Sequence, residues 1–408
     1  MTFPLESAAP SALGLDPRAL ERLRELIIRH IVDGRYPGAQ IAIARRGRLA
    51  LFTTIGDARL DPQRVVARDD TLWLLYWNTK VITACAVALL ADHGALSLTD
   101  RVASYVPGFE VHGKRRITIL ELLTDQGGFL GAEVPPEAWN DHELLRRCVC
   151  DFALESTPTP ASALAAIDAL TRTDYRAFVR ARATYWTAAV LIEGLTKTDY
   201  RAFIRENIIE PLGLADELFV GLPDSQQARA ADLHEPSFDG ARQIRRADEN
   251  NAVFRRAGIP SSGGYGTARA MAAFYQMLVQ GGTLAGVRLL SPRMVAYVIR
   301  DFTGARADNH TGMPMHRGLG PHSPGTAETI RGLATAAGAP PAAGAIPTRA
   351  CRSPISPTAA CPIPGTAHGS TWSVTWSTPP STSAAPTNVA RPRTVETSPL
   401  ASRRSCLR

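Results

Sequence analysis

Apolar residues recur at helical spacing in several separate stretches of the chain. The first stretch spans residues 15–31, starts at Asp16-Pro17, and carries apolar side chains three or four positions apart, at Leu20, Leu23, Ile27 and Ile28. The same kind of pattern predicts further helices over residues 79–92, 118–124, 184–195, 200–209, 268–280 and 289–298. Gly94 follows the second of these helices as a candidate C-cap.

Two strand-like runs lie between the first and second predicted helices. Residues 39–44 and 48–54 flank Arg45-Arg46-Gly47, a turn-like sequence that indicates a β-hairpin. Strands near the N-terminus followed by many helices are typical of a mixed α/β (α+β) protein.

The periodicity stops after about Thr335. Residues 336–408 are rich in Ala, Pro, Ser and Thr, a composition that predicts a disordered tail. This tail holds seven arginines and one glutamate, so six of the seven net positive charges of the chain lie in it. Because the first 335 residues are then nearly neutral, the charge of the whole chain does not predict a nucleic-acid-binding surface on the fold.

Length and composition exclude several classes of protein. With 408 residues, of which 45% are hydrophobic, the chain can form a substantial core, and no apolar run reaches membrane-spanning length. The N-terminus lacks the pattern of a secretory signal, and the cysteines lack metal-binding spacing. We therefore expect a cytoplasmic protein with reduced thiols, no membrane span, no metal and no cofactor. The six cysteines are Cys85, Cys148, Cys150, Cys351, Cys361 and Cys406.

One internal repeat is present. The sequence of residues 170–180 recurs at residues 195–205 with nine of eleven positions identical. Two copies are too few for a solenoid, which leaves a local duplication or a corrupted sequence as the explanation.

Several segments together resemble the serine β-lactamase and penicillin-binding-protein-like hydrolases, and within them the class C-type esterase branch. The resemblance covers residues 15–335 and predicts one incomplete domain there, followed by the tail at 336–408. It implies an antiparallel sheet flanked by helices, a helical domain, and hydrolysis of small-molecule esters, amides or β-lactams through an acyl-enzyme. The segments are Tyr36-Pro37-Gly38-Ala39, Tyr76-Trp77-Asn78-Thr79-Lys80, Ile117-Thr118-Ile119-Leu120-Glu121-Leu122-Leu123-Thr124, Ile208-Ile209-Glu210-Pro211-Leu212-Gly213-Leu214 and Gly263-Gly264-Tyr265-Gly266.

The catalytic motif of this family is altered in the chain. The family places a nucleophilic serine and a general-base lysine in S-x-x-K, and Lys80 occupies the lysine position while Trp77 occupies that of the serine. The approximate position of the family's tyrosine falls on Arg180, and Asp125 stands where many relatives have a histidine. The resemblance therefore predicts an inactive copy.

The family's H-G-G or K-T-G strand is also missing from the tail. His368-Gly369-Ser370 is the nearest similar sequence, but no strand pattern surrounds it. A one-base shift of reading frame permits residues 346–359 to encode a sequence like the family's last strands, so a frame-shifted tail is one hypothesis. Without those strands, the N-terminal hairpin is expected to lose its sheet partners.

Three functional hypotheses remain open. The chain is a degraded or mis-framed serine hydrolase, a pseudoenzyme that binds a small ligand or protein partner, or a protein whose arginine-rich tail binds nucleic acid or an acidic surface. Lys80 is alternatively a partly buried lysine with a structural partner. The mixed charges between Arg242 and Arg256 are expected on a solvated face, and His93, His112, His234, His310, His316 and His322 are expected at the surface or in loops.

Overall fold

The computed structural model describes residues 2–129, 132–154, 183–236, 243–304 and 316–321, and the backbone of 370–376. Within these residues the α-helices are α1 Pro17–Val32, α2 Asn78–Asp92, α3 Ile119–Leu123, α4 His142–Asp151, α5 Ala183–Thr196, α6 Tyr200–Ile204, α7 Ala252–Ala257, α8 Ala268–Val279 and α9 Pro292–Val298. A π-helical turn, Arg205–Ile209, continues α6, and short 3₁₀ helices occur at Pro10–Leu13, Val102–Ser104, Lys114–Arg116, Pro136–Ala138 and Asp224–Arg229.

The strands form one larger sheet and three small ones. They are β1 Glu6–Ser7, β2 Gly38–Arg45, β3 Arg48–Arg59, β4 Val65–Val66, β5 Trp73–Leu74, β6 Leu218–Val220, β7 His234–Pro236, β8 Gln243–Arg245, β9 Gly264–Gly266, β10 Thr283–Leu284, β11 Val287–Arg288 and β12 Ser370–Trp376. The larger sheet has the order β1-β3-β2-β12, with β4 paired to β3. The small sheets are β5-β9-β6, β7-β8 and β10-β11.

The central strand of the larger sheet is covered on both faces. Alternate residues of a strand point to opposite faces. In β2, Ala39, Ile41 and Ile43 pack with α1, whereas Ala42 and Ala44 join the main core. A strand covered in this way is apolar at nearly every position, which is what the sequence of β2 shows.

The main core surrounds α2. The residues of this helix from Asn78 to Leu90 are all buried, and its neighbours include α5, α6 and α9. An apolar helix without a polar face is the type expected at the centre of a domain. Any group that α2 carries at its start is therefore held by packing on all sides.

Local sequence signals account for the helix boundaries. Asp16, Asp141 and Thr267 cap α1, α4 and α8 by accepting backbone N–H bonds through their side chains. Thr118 and Glu121 form a capping box at α3, and Gly94 takes the left-handed conformation after α2 at φ +75°. The predicted helices and hairpin agree with the structure to within a few residues at most ends.

The C-terminal part of the sheet differs from the expectation. The segment β12 pairs in parallel with β2, from Ser370 opposite Ala39 to Trp376 opposite Arg45, so the sheet is mixed and the hairpin keeps a neighbour at this edge. The expectation of no strand near His368-Gly369-Ser370 is thus wrong, because Ser370–Trp376 alternates small polar with larger apolar residues, a strand pattern.

Two further expectations fall partly or wholly outside the described residues. The predicted domain boundary at Thr335 and the first repeat copy at 170–180 both lie outside the described residues. The second repeat copy, at 195–205, contains α6. Among the helices that are described, none combines the length and the apolar character needed to cross a bilayer.

Candidate functional site

The turn into α2 places Trp77 and Lys80, the two residues of the predicted motif, at the edge of the main core. Tyr76 is buried and has φ +43°, an unusual backbone conformation for a residue with a bulky side chain. Trp77 follows at the N-cap position and is partly exposed, whereas Lys80, one turn later, is only 7% exposed. The backbone N–H of Lys80 donates to the carbonyl of Trp77 at 3.1 Å. The two motif residues are therefore neighbours on one turn of helix.

Hydroxyl groups on the same helix hold it against the loop before β9. The Thr79 hydroxyl oxygen accepts the N–H of Gly264 at 2.9 Å, and the Thr83 hydroxyl donates to the carbonyl of Pro260 at 2.7 Å. A Cβ on Gly264 would lie 2.7 Å from the Thr79 oxygen, so glycine is required for this approach. These hydroxyls serve packing between α2 and the loop, and neither takes the place of the missing serine.

The ammonium group of Lys80 is bonded to a buried carboxylate. It donates to Asp125 Oδ2, and Arg317 Nη1 lies 2.8 Å from the same oxygen. All three residues are less than a tenth exposed. A carboxylate between two buried cations stabilises the charged form of each, because the desolvation of one charge is offset by the opposite charge.

Two turns of unusual backbone bring these groups together. Asp125 follows α3 at φ +58°, a conformation that Asp tolerates better than most residues. Leu319 donates its N–H to Val298 at 2.9 Å, which fixes the segment 316–321 beside α9. A Cβ on Gly320, at φ +92°, would meet the Ala84 Cβ at 2.8 Å, so this glycine permits the close approach of the segment to α2.

Tyr185 of α5 lies next to Lys80. The Lys80 Nζ is 4.8 Å from the centroid of the Tyr185 ring, and the Tyr185 hydroxyl donates to the carbonyl of Leu123 at 3.2 Å. Burial, together with the nearby Asp125 carboxylate, raises the pKa of Tyr185 well above its usual value. Tyr185 therefore stays protonated at neutral pH and contributes a cation–π contact rather than a base.

Part of the charged run from Arg242 to Arg256 is buried rather than solvated. Asp232 accepts from Arg255 at 2.6 Å and from Arg245, while Arg246 and Glu249 form a bidentate pair with a shortest distance of 2.7 Å. Arg246 and Glu249 are each 4% exposed, and Arg255 is 6% exposed. The expectation was wrong for Arg246, Glu249 and Arg255, because residues in and around β7 and in the turn after β8 supply opposite charges that allow burial, whereas other charges of the run are exposed.

This cluster lies behind the turn at Tyr76. Leu233, next to Asp232, packs against the Tyr76 side chain, and the Asn250 side chain bonds to both the N–H and the carbonyl of Leu233 at 2.8 Å. His234, expected at the surface, is instead fully buried in β7, and burial lowers its pKa. The cluster thus supports the backbone that presents Trp77.

One group of metal-ligand side chains occurs in the part of the chain that the structure describes. His142 Nδ1 lies 2.9 Å from Glu193, and its Nε2 lies 3.4 Å from Asp199, which also binds Arg201 at 2.6 Å. Each of the three side chains can offer one ligand atom, and these atoms lie within 4.8 Å of one another, but in this structure the two imidazole nitrogens each face a carboxylate. Burial raises the pKa of Glu193. Burial acts in the same direction on Asp199, but the hydrogen bond and the positive charge of Arg201 outweigh this effect, so the pKa of Asp199 is lowered. The group is an ion-pair cluster that joins α4, α5 and α6.

The predicted site residues have separate outcomes. The structure brings Trp77 and Lys80 onto adjacent positions of one helical turn, and it gives Lys80 the structural partner that was the alternative to a catalytic role. Arg180 lies outside the described residues. Sequence reasoning missed Arg317, which joins the cluster from a distant segment, and it had no motif that could have indicated this residue.

Comparison with known proteins gives consistent relatives. The esterase/β-lactamase LipL of Mycobacterium tuberculosis is 26% identical over 278 residues, which is 62% of this chain and 61% of LipL. A penicillin-binding protein homologue from Caulobacter crescentus has a TM-score of 0.59 at 26% identity, over 74% of this chain and 80% of that one. A family VIII carboxylesterase has a TM-score of 0.60 at 24% identity, over 76% of this chain and 82% of that one, and supports the fold alone.

The sequence profile that describes the Beta-lactamase family matches residues 23–345. This range contains the turn at Trp77, the helix α2 and the Lys80 cluster, and the fold agrees with that of the solved relatives. By the extent of this match, the chain belongs to the β-lactamase family.

Proposed function

We propose that this chain is a catalytically inactive member of its family, one that does not hydrolyse esters or β-lactams. The observation that supports this most directly is the indole of Trp77 at the position of the nucleophile. Indole has no oxygen that can attack a carbonyl, so an acyl-enzyme cannot form there. Without such an intermediate, the two-step chemistry that the family name implies has no first step.

The state of Lys80 supports the same proposal. A general base must hold a free lone pair, and an ammonium that donates to a carboxylate has none. The Asp125 carboxylate accepts a hydrogen bond from Lys80 and favours the charged lysine, and Arg317 binds the same carboxylate oxygen. Restoring a serine at position 77 would therefore supply a hydroxyl beside a lysine that is poorly suited to deprotonate it.

The test uses a chromogenic ester, p-nitrophenyl butyrate, and a chromogenic cephalosporin. We expect the unaltered protein and the Lys80→Met variant to show the same background rate, and Trp77→Ser to stay at that rate. Circular dichroism and a thermal melt of each variant confirm that it is folded. Turnover by the unaltered protein that Lys80→Met abolishes would overturn the proposal. Turnover by Trp77→Ser would instead refute the argument about the state of Lys80.

A binding role is the second candidate. It is favoured by the partial exposure of Trp77 one helical turn before the buried Lys80, which gives an aromatic side chain at the start of a tightly packed helix. Under this proposal the folded chain binds a small ligand or a protein partner at the former catalytic pocket. Saturable binding of a non-hydrolysed ester that Trp77→Ala weakens, measured on a protein with a cooperative melt, supports it. A non-cooperative melt would overturn it.

A further inference from the structure

We propose that a cleft beside α6 binds a small organic anion. The cleft has a volume of about 470 Å³, which is within the range of small-molecule sites. It lies between α6 with its π-helical turn, the strand β6 with the loop that follows, and the end of α7. Lys80, Asp125, Tyr185 and Arg317 do not line it, so it is separate from the former catalytic site.

Three guanidinium groups line this cleft. Arg201 and Arg205 are four positions apart and therefore lie on one face of the helix, and Arg256 enters from the end of α7. Asp216 is the acidic residue among the lining side chains. The lining therefore has a cationic excess.

Two of these arginines have partners that are easily exchanged. Arg205 pairs with Glu210 at 2.8 Å and Arg256 pairs with Asp224 at 2.7 Å, but neither carboxylate lines the cleft. All four side chains are more than two-fifths exposed, and Asp224 is 72% exposed. Exposed pairs of this kind contribute little to stability. A ligand oxyanion can therefore replace either carboxylate at small cost.

The third arginine is fixed. Arg201 is bonded to Asp199 at 2.6 Å, to Asn140 Oδ1 at 2.9 Å and to the carbonyl of Ala257 at 2.9 Å, and its side chain is only 16% exposed. Arg201 therefore forms a rigid side of the cleft, and its positive charge is largely neutralised by Asp199. The more exposed arginines, Arg205 and Arg256, are thus the ones that would contact the anion directly.

The remaining wall of the cleft is apolar. Leu218, Phe219 and Leu222 belong to the lining and are almost fully buried, so they are held firmly in place. Gly221, between them, has φ +81°, and a Cβ there would lie 3.1 Å from the Arg201 side chain. The glycine lets the backbone approach the arginines without filling the cleft. Cationic groups beside an apolar wall fit an aromatic carboxylate or phosphate monoester better than an inorganic ion.

The test is isothermal titration calorimetry of the full chain with phenyl phosphate at low salt. We expect saturable binding that weakens by about tenfold or more in Arg205→Gln and in Arg256→Gln. Arg293→Gln is the matched control, because Arg293 is exposed on α9 and does not line the cleft. Glu210→Gln and Asp224→Asn remove the competing carboxylates, and we expect both to bind phenyl phosphate more tightly than the unaltered chain.

Each contrary result has a defined meaning. Absence of saturable heat at millimolar phenyl phosphate would overturn the proposal. So would equal affinities for Arg205→Gln, Arg256→Gln and Arg293→Gln, or weaker binding by the two variants that lack a competing carboxylate. Benzyl alcohol binding as tightly as phenyl phosphate would refute the role of the arginines. Inorganic phosphate binding equally tightly would refute the role of the apolar wall.

Discussion

Replacing Lys114 with methionine should lower the free energy of unfolding by about 3 kcal/mol. The Lys114 side chain is completely buried, although lysine is among the residues least often found inside proteins. Its ammonium donates to the carbonyl oxygens of Val111 at 3.0 Å and of Cys150 at 2.9 Å, and also to that of Phe152. Methionine has a similar length and fills the space, but it removes the donor of one buried and two part-buried hydrogen bonds to backbone carbonyls.

The magnitude follows from two opposing quantities. A hydrogen bond from a charged donor contributes about 1.5–3 kcal/mol, so three of them contribute roughly 5–9 kcal/mol. Removing the ammonium also recovers the cost of burying a charge, which is several kcal/mol in real proteins. The difference is about 3 kcal/mol, and it applies at the C-terminal end of α4, where Cys150 and Phe152 lie.

The assay is urea unfolding followed by tryptophan fluorescence. Lys197→Met is the matched control, because it makes the same chemical change at an exposed lysine that donates to one carbonyl, that of Gly194. We expect the control to change stability by no more than about 0.5 kcal/mol. Lys114→Met should unfold at a lower urea concentration with an unchanged slope, since the surface exposed on unfolding is nearly the same.

The pH dependence gives an independent check. Burial lowers the pKa of Lys114 below its usual value of 10.5. Between the folded pKa and 10.5 the folded state therefore binds fewer protons than the unfolded state, and stability rises with pH through that window. The unaltered protein should gain stability relative to Lys114→Met as the pH rises there. Equal unfolding midpoints for Lys114→Met and Lys197→Met would refute the reasoning.

Three further predictions each concern a single side chain. Tyr200→Phe should cost about 1–2 kcal/mol in urea unfolding, because the hydroxyl donates to the carbonyls of residues 257 and 258 at 3.0 and 2.9 Å; an unchanged midpoint would contradict this. Asp199→Asn should destabilise the protein at pH 7. The difference in free energy of unfolding between this variant and the unaltered chain should shrink as the pH falls below 3.8, because Arg201 lowers the pKa of Asp199 in the folded state against the effect of burial. Burial raises the pKa of Cys85 to about 12, so iodoacetamide at pH 8 should label its peptide only after unfolding, as mass spectrometry would show; rapid labelling of the folded protein would disprove it.

The candidate site was only partly predictable from the sequence. Trp77 and Lys80 could be placed because the family motif has a fixed spacing within one helical turn. Arg317 could not, because its place beside Asp125 depends on the path of a distant segment and on the missing Cβ of Gly320. The cleft beside α6 could not be predicted from the sequence either, because it is formed by residues from several separate elements.

The sequence by itself determined most of the helices and the N-terminal hairpin, with their approximate boundaries. Capping residues such as Thr118, a left-handed glycine such as Gly94, and the apolar spacing of each helix act over a few residues, so they can be interpreted without the rest of the fold. For the same reason the sequence also predicted that Trp77 occupies the position of the family's nucleophile.

Only the tertiary structure decided which charges are buried. Arg246 was expected in water and Lys114 gave no sign of its environment, yet both are inside the protein. A buried charge requires a compensating group, and for Arg246 and Lys114 these groups are carboxylates or backbone carbonyls brought close by folding. Hydropathy along the chain measures the cost of burying a charge, but not the partners that offset it.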